Sequence, residues 1–124
     1  MTHLAFIAPP PGLAPLVDFT LDDVAGAEGL YSLQATQDAG IRLFLLDAAV
    51  YLPDYAPVIS DEQSVALGLT APDDAAVLVV ANPSAQPVTM NLMAPIVVNR
   101  STGVSAQLIL EGQDWPLKAE LAAL

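Results

Sequence analysis

Three pairs of adjacent carboxylates, Asp22-Asp23, Asp61-Glu62 and Asp73-Asp74, are the densest chemical feature of this 124-residue chain. Two carboxylates held together can share a proton as an acid/base pair or bind Ca²⁺. Each pair falls at a turn or helix start, however, where Asp and Glu cap free backbone N–H groups. No stretch has the alternating acidic spacing of an EF-hand loop. The sole histidine is His3 and there is no cysteine, so a Ser-His-Asp triad or a Cys-His pair has little to work with. A His/Cys zinc site is excluded by count, and no glycine-rich phosphate loop or dinucleotide fingerprint occurs. No catalytic, metal-ligating or cofactor-binding residue is assigned, and the chain reads as a binding protein. The rival reading is an acidic small-molecule-binding or hydrolytic enzyme on an all-β scaffold, which a pocket of clustered carboxylates would favour.

Charge narrows the partners. Three basic residues face fourteen acidic ones, a net of −11 at pH 7. Nucleic acid and anionic membranes both need positive charge at the contact and are excluded as direct partners. A basic protein is favoured, although negative charge also keeps a small protein soluble without any partner, and composition alone prefers that plainer account. No apolar run approaches the ~20 residues needed to span a bilayer. Leu4 to Ala8, followed by three prolines, is too short and uncharged for a secretory signal. With no disulfides to form, the expectation is a soluble cytoplasmic protein of a single domain spanning residues 1–124.

One stretch has the composition of a contact surface. Tyr51-Leu52-Pro53-Asp54-Tyr55 places two tyrosines around a proline-stiffened acidic turn. Tyrosine buries area at low entropic cost and keeps a hydroxyl, which enriches it at interface hot spots. Both rings could equally pack back and cover the end of the domain. Trp115 is read as filling the interior rather than as an anchor.

These residues need elements to hold them. Short strands are predicted at Leu4–Ala8, Leu16–Leu21, Leu30–Gln34, Ile41–Leu46 and Ala76–Ala81. A hairpin follows from Thr89 to Leu110, its two apolar runs joined by Arg100-Ser101-Thr102-Gly103. Ile96-Val97-Val98 is too continuous for a strand with one wet face and is predicted buried on both sides. Pro95 belongs at that strand's start or on an edge. Asn91 and Asn99 bracket the strand as turn-closing residues. Ser60-Asp61-Glu62-Gln63 is a capping-box start, so the one predicted helix ends near Gly68 with Val65 and Leu69 facing the core. The segment after Asp47 is predicted extended, and the tail from Lys118 a short helix or a frayed end. The expected core is Phe19, Leu33, Leu43, Leu45, Val77, Val79, Ile96, Val98 and Ile109. Many short strands between Pro, Gly and Asp turns indicate an all-β fold, a small closed or partly closed antiparallel barrel or sandwich with one short helix.

Asn91-Leu92-Met93-Ala94-Pro95-Ile96-Val97-Val98-Asn99, with Gln107 beyond it, resembles the signature of the FliW family of flagellar assembly factors. Further pieces match in order: Leu4 to Ile7, Gly12-Leu13, Leu16 to Leu21, Tyr31-Ser32-Leu33-Gln34, Leu52-Pro53-Asp54-Tyr55, Ser60 to Leu69, and Gln107 to Leu110. The chain departs from the family with Ala48 where proline is common, Trp115 for a tyrosine, and only Lys118 left of a basic tail. The resemblance implies a barrel-like protein that binds flagellin before export. It also implies binding to CsrA, a basic dimeric regulator that represses flagellin translation, so that the protein antagonises CsrA and links flagellin translation to export. A relative that keeps only one of the two partners is the alternative. Residue types and resemblance together mark Asp47, Tyr51, Pro53, Asp54, Tyr55, Asn91 and Asn99 as candidate protein-binding residues.

Overall fold

The computed structural model describes residues 2–38, 40–52, 55–82, 88–110, 112–116 and 119–120. Strands β1 (Thr2–Phe6), β2 (Asp18–Asp23), β3 (Leu30–Ala35) and β4 (Arg42–Asp47) form an antiparallel meander. A short helix α1 (Ala48–Tyr51) and a helix α2 (Asp61–Ala66) follow, then a 3-10 turn at Pro72–Asp74. Strands β5 (Ala75–Asn82), β6 (Thr89–Asn99) and β7 (Val104–Gln107) complete the ring, and β8 (Ala119–Glu120) adds to the first half of β6. The sheet order β5-β4-β3-β2-β1-β7-β6, with β5 also paired to β6, closes a seven-strand barrel. Closure leaves the ring without an edge that could template pairing with another chain.

Alternation along the strands explains the continuous apolar runs. Leu4, Phe6, Phe19, Leu33, Ala35, Leu45, Leu78, Ile96 and Val98, drawn from β1 to β6, form one cluster inside the ring. Their chain neighbours point the other way, as period two requires. Leu46, Val79 and Leu92 join an outer cluster under α1 and Trp115. Val97, Ala106 and Leu108 join another with Leu67 at the end of α2. Ile96, Val97 and Val98 are therefore buried on both sides of the sheet, as predicted.

Other expectations are corrected. Helix α2 begins with the predicted capping box, Ser60 Oγ accepting from Gln63 N and Gln63 Oε1 from Ser60 N. It is only six residues long, however, and its cap residue Leu67 takes the core position, leaving Val65 78% exposed. Ile109 is 53% exposed, while Leu108 and Leu110 on either side of it are the buried residues. A second helix, α1, stands where extended chain was predicted, because Asp47 Oδ1 accepts from Ala49 N and caps it. Trp115 lies half-buried in the outer cluster, not inside the ring. The tail supplies β8 at Ala119–Glu120 in place of a helix, while Lys118 and residues 121–124 lie outside the described residues. Nor is the barrel wholly antiparallel: β1 and β7 pair in parallel, through Ala5–Val104 and Phe6–Ser105.

Pro95 sits neither at a strand start nor on an edge. Between the pairs Leu78–Ile96 and Val80–Asn91, β5 contributes one residue, Val79, and β6 four, Leu92 to Pro95. Pro95, with no N–H to give, fits in this bulge. Asn91 Oδ1 accepts from Met93 N at 3.1 Å and Ala94 N at 3.2 Å, satisfying donors that the ladder has lost. Gln107 Nε2 donates to Ala94 O at 3.0 Å from the neighbouring strand.

The parallel seam depends on Gly103, whose φ of +80° belongs to the left-handed region. A Cβ there would lie 2.7 Å from His3 O. Gly103→Ala is expected to lose about 1–3 kcal/mol by strain at positive φ and to loosen β1, which urea melts and amide exchange of Leu4 to Phe6 would report. Ile96→Ala should cost about 2–5 kcal/mol as a large-to-small core change, whereas Ile109→Ala should stay within about 0.5 kcal/mol, as surface substitutions do. Overlapping melts of the Ile96 variant and wild type would contradict this packing.

Candidate protein-binding site

Asp47 ends β4 and starts α1, so the chain turns out of the sheet directly into the tyrosine segment. Tyr51 Oη donates to Glu28 O at 2.9 Å across the β2–β3 connection. Beneath it Gly29 has a φ of +78°, and an added Cβ would meet Tyr51 Cε2 and Val50 at 3.1 Å. Helix α1 is thus pressed onto the sheet by aromatic contact and a missing side chain.

Tyr55 is used by the fold. Its hydroxyl donates to Leu92 O at the start of the β6 bulge. Its ring meets Trp115 edge-on, centroids 4.7 Å apart at 82°, a favourable geometry for the ring quadrupoles. Burial pushes the Tyr55 hydroxyl from the ordinary tyrosine value of 10.0 up to about 12. Tyr51 and Tyr55 pack against the same outer cluster, so of the two readings left open by the sequence, the structure places both rings against the barrel. Pro53 and Asp54 lie outside the described residues. Asn99 ends β6 and Asn91 lies near its start, one residue before the Leu92 carbonyl that Tyr55 bonds, and both serve the backbone. Asn99, 3% exposed, accepts from Ser101 N and Thr102 N and donates to Leu67 O and Gly68 O. It closes the β6–β7 turn and caps α2 with one side chain.

Among the described Asp and Glu side chains none is buried. Asp22-Asp23 lies at the end of β2 rather than in a turn. Asp61-Glu62 forms the first turn of α2. Asp74 Oδ2 accepts from Thr70 N, Thr70 Oγ1 and Ala71 N, and these bonds hold its carboxyl below the ordinary range. Among the described residues no three His, Cys, Asp or Glu side chains meet in a group that could hold a metal ion. One end of the barrel opens into a pocket of about 280 Å³ where Asp23, Asp47, Tyr31 and Arg100 meet over Leu21, Leu78 and Val98. Burial raises the Tyr31 hydroxyl above its ordinary value, as do Asp47 and Asp23, against the opposing charge of Arg100.

The tyrosine segment leads to a contact that sequence reasoning missed. Gln113 Oε1 accepts from Val58 N at 2.8 Å and Gln113 Nε2 donates to Val58 O at 3.0 Å. Trp115 Nε1 donates to the same Oε1 at 3.3 Å. The clamp fixes Val58 with its side chain outward, 67% exposed. Val58 and Ile109 line a groove of about 280 Å³ with Ser60, Gln63, Leu110 and Gln113. Only the capping box was visible in the sequence; a bond across fifty-five positions has no local signal.

A family model described as FliW protein matches residues 2–121. The chain is 32% identical over 91 residues to a flagellar assembly factor FliW of Desulfitobacterium hafniense strain Y51, covering 72% of this chain and 60% of that protein. It is 28% identical over 101 residues to the protein of that name from Treponema denticola, covering 80% and 69%. A crystal structure of the flagellar assembly factor FliW superposes with a TM-score of 0.87 at 25% identity, covering 98% of this chain and 86% of that one. Among the described residues no helix is long and apolar enough to cross a membrane.

Tyr55→Phe is expected to lose about 1 kcal/mol, the net worth of one hydrogen bond. The fold favours the neutral phenol, so this stabilisation is complete below pH 10 and is lost as pH rises toward about 12. Ultraviolet titration should show a tyrosine ionising near pH 12 that vanishes in Tyr55→Phe. Its persistence in the variant would show that another ring is responsible.

Proposed function

The chain belongs to the FliW family, and from that membership we propose that it is a flagellar assembly factor working by binding proteins and not by catalysis. It binds flagellin, and in exchange for flagellin it binds the translational regulator CsrA and relieves repression. Exclusive binding couples the two partners by mass action: whatever occupies the shared protein lowers its availability to the other. No bond is made or broken. The alignment spans 60% of the length of the Desulfitobacterium relative, so the full set of partners is part of the proposal.

The observation that carries the reading is the charge. A net of −11, with every described carboxylate reaching solvent, favours a basic partner over nucleic acid or anionic lipid. It suits CsrA, a basic protein, in the cytoplasm, where both proposed partners are made.

Titration calorimetry with purified CsrA and purified flagellin tests this. Both should bind, and each should displace the other. Association with CsrA should slow as salt rises, because the Debye length falls from about 30 Å at 0.01 M to about 10 Å at 0.1 M. Absence of heat with either protein at low salt would remove the reading. Heat with one alone would identify a relative that keeps a single partner.

A further inference from the structure

The groove between Val58 and Ile109 is an odd place for a protein to leave two branched aliphatic side chains in water. Scattered exposed apolar residues are ordinary, but these two share one depression over Leu110, which is 2% exposed. Neither hangs on slack chain. Gln113 holds both backbone polar atoms of Val58. Ile109 lies between Leu108 N, bonded to Pro95 O at 2.9 Å, and Leu110 N, bonded to Met93 O at 2.8 Å. Two apolar groups held rigidly outward lose little freedom when something covers them, which is the property of an interface anchor.

Several polar atoms of the wall are already engaged within the chain. Ser60 Oγ and Gln63 Oε1 serve the capping box, and the Gln113 amide serves Val58. The groove therefore selects by shape and apolarity, and charge comes from its surroundings. Asp61 and Glu62 stand between the lining residues Ser60 and Gln63 on α2, and Asp114 follows Gln113. All three are exposed. Among the described residues no Lys or Arg lines the groove. Arg42 lies over the Phe44 ring and Arg100 at the barrel end.

We propose that this groove is the docking site for a basic segment of a partner protein, which inserts an apolar side chain between Val58 and Ile109 while its cations face Asp61, Glu62 and Asp114. The inference rests on the binding function proposed above and assigns its basic partner to this groove rather than to the tyrosine rings, which the fold consumes. The acidic rim governs approach and the apolar pair governs residence, since long-range charge acts on association and buried anchors act on dissociation.

The test is surface-immobilised full-length protein against purified CsrA and flagellin, with sedimentation of each variant alone. The double variant Val58→Ser with Ile109→Ser should raise the Kd for CsrA at least tenfold, chiefly through faster dissociation. Glu62→Lys should slow association and flatten its salt dependence. Val50→Ser, an exposed apolar position on α1 outside the groove, should bind as wild type does. If the double variant does not fold, Val58→Lys at a 67% exposed position should repel the basic segment and give the same loss. A folded double variant with wild-type binding would overturn the assignment, as would loss in Val50→Ser instead. Loss of flagellin with CsrA unaffected would overturn the basic occupant. A wild-type dimer abolished by the double variant would give the groove to a second copy of this chain. Wild-type protein that binds neither partner would remove the functional reading first, and the assignment with it.

Discussion

Strand β6 has to be dry on both faces. Ile96 and Val98 project into the ring while Val97 projects out, and all three are buried. Burial of such side chains is worth about 1.5–3 kcal/mol each, so whatever covers them is strongly selected. The inner face is covered by rolling the sheet into a barrel. The outer face is covered by what the chain sends across it: the end of α2 with Leu67 over Val97, and Tyr55 with Trp115 beside Leu92. The helices are lids on the sheet, α2 over β6 and α1 over β4 and β5, and add little structure of their own. That is why α2 can be six residues long, far below the length at which an isolated helix is stable in water.

Covering an outer face creates a polar problem. The bulge at Leu92 to Pro95 takes backbone groups out of the ladder, and buried groups left unpaired are expensive. The chain answers with side-chain amides. Asn91 serves Met93 and Ala94, Gln107 serves Ala94 O, Asn99 serves the β6–β7 turn and the end of α2, and Gln113 serves Val58. No buried side-chain nitrogen or oxygen among the described residues lacks a partner. An amide suits this work because it donates and accepts without a charge to desolvate.

The sequence showed this in layers. Strand content, the hairpin around Gly103, the two-sided burial of Ile96 to Val98 and the capping box of α2 were all legible, because each is written in nearest neighbours or in a period. The parallel seam of β1 with β7 was not, since nothing in Thr2 to Phe6 records which strand closes the ring. Val65 and Ile109 were misplaced for the same reason: periodicity says that a run has two faces, and which face is covered depends on elements distant in sequence. The candidate site was legible in part. Asn99 closes the β6–β7 turn as read, whereas Asn91, read as bracketing the strand, lies inside β6 and serves its bulge. Tyr55 drew notice for its chemistry, but its hydroxyl and ring are committed to Leu92 and Trp115 by a contact that only the fold reveals.

That commitment bears on where a partner can be held. A tyrosine at a hot spot contributes by moving from water into a partner's surface. Tyr55 is already half out of water and spends its hydroxyl on Leu92 O. Moving it to a partner would leave that carbonyl at the bulge without its donor and Trp115 without its edge-on neighbour, offsetting much of what the new contact supplies. Val58, three residues on, faces no such conflict. Its backbone is held by Gln113, its side chain touches water, and covering it removes apolar area at little cost to the fold. The rigid aromatic segment then has an indirect role: Tyr55 packs on Trp115, Trp115 donates to Gln113, and Gln113 fixes Val58. Aromatic residues that look like a contact surface in the sequence become, in the structure, the support that holds an aliphatic one in place.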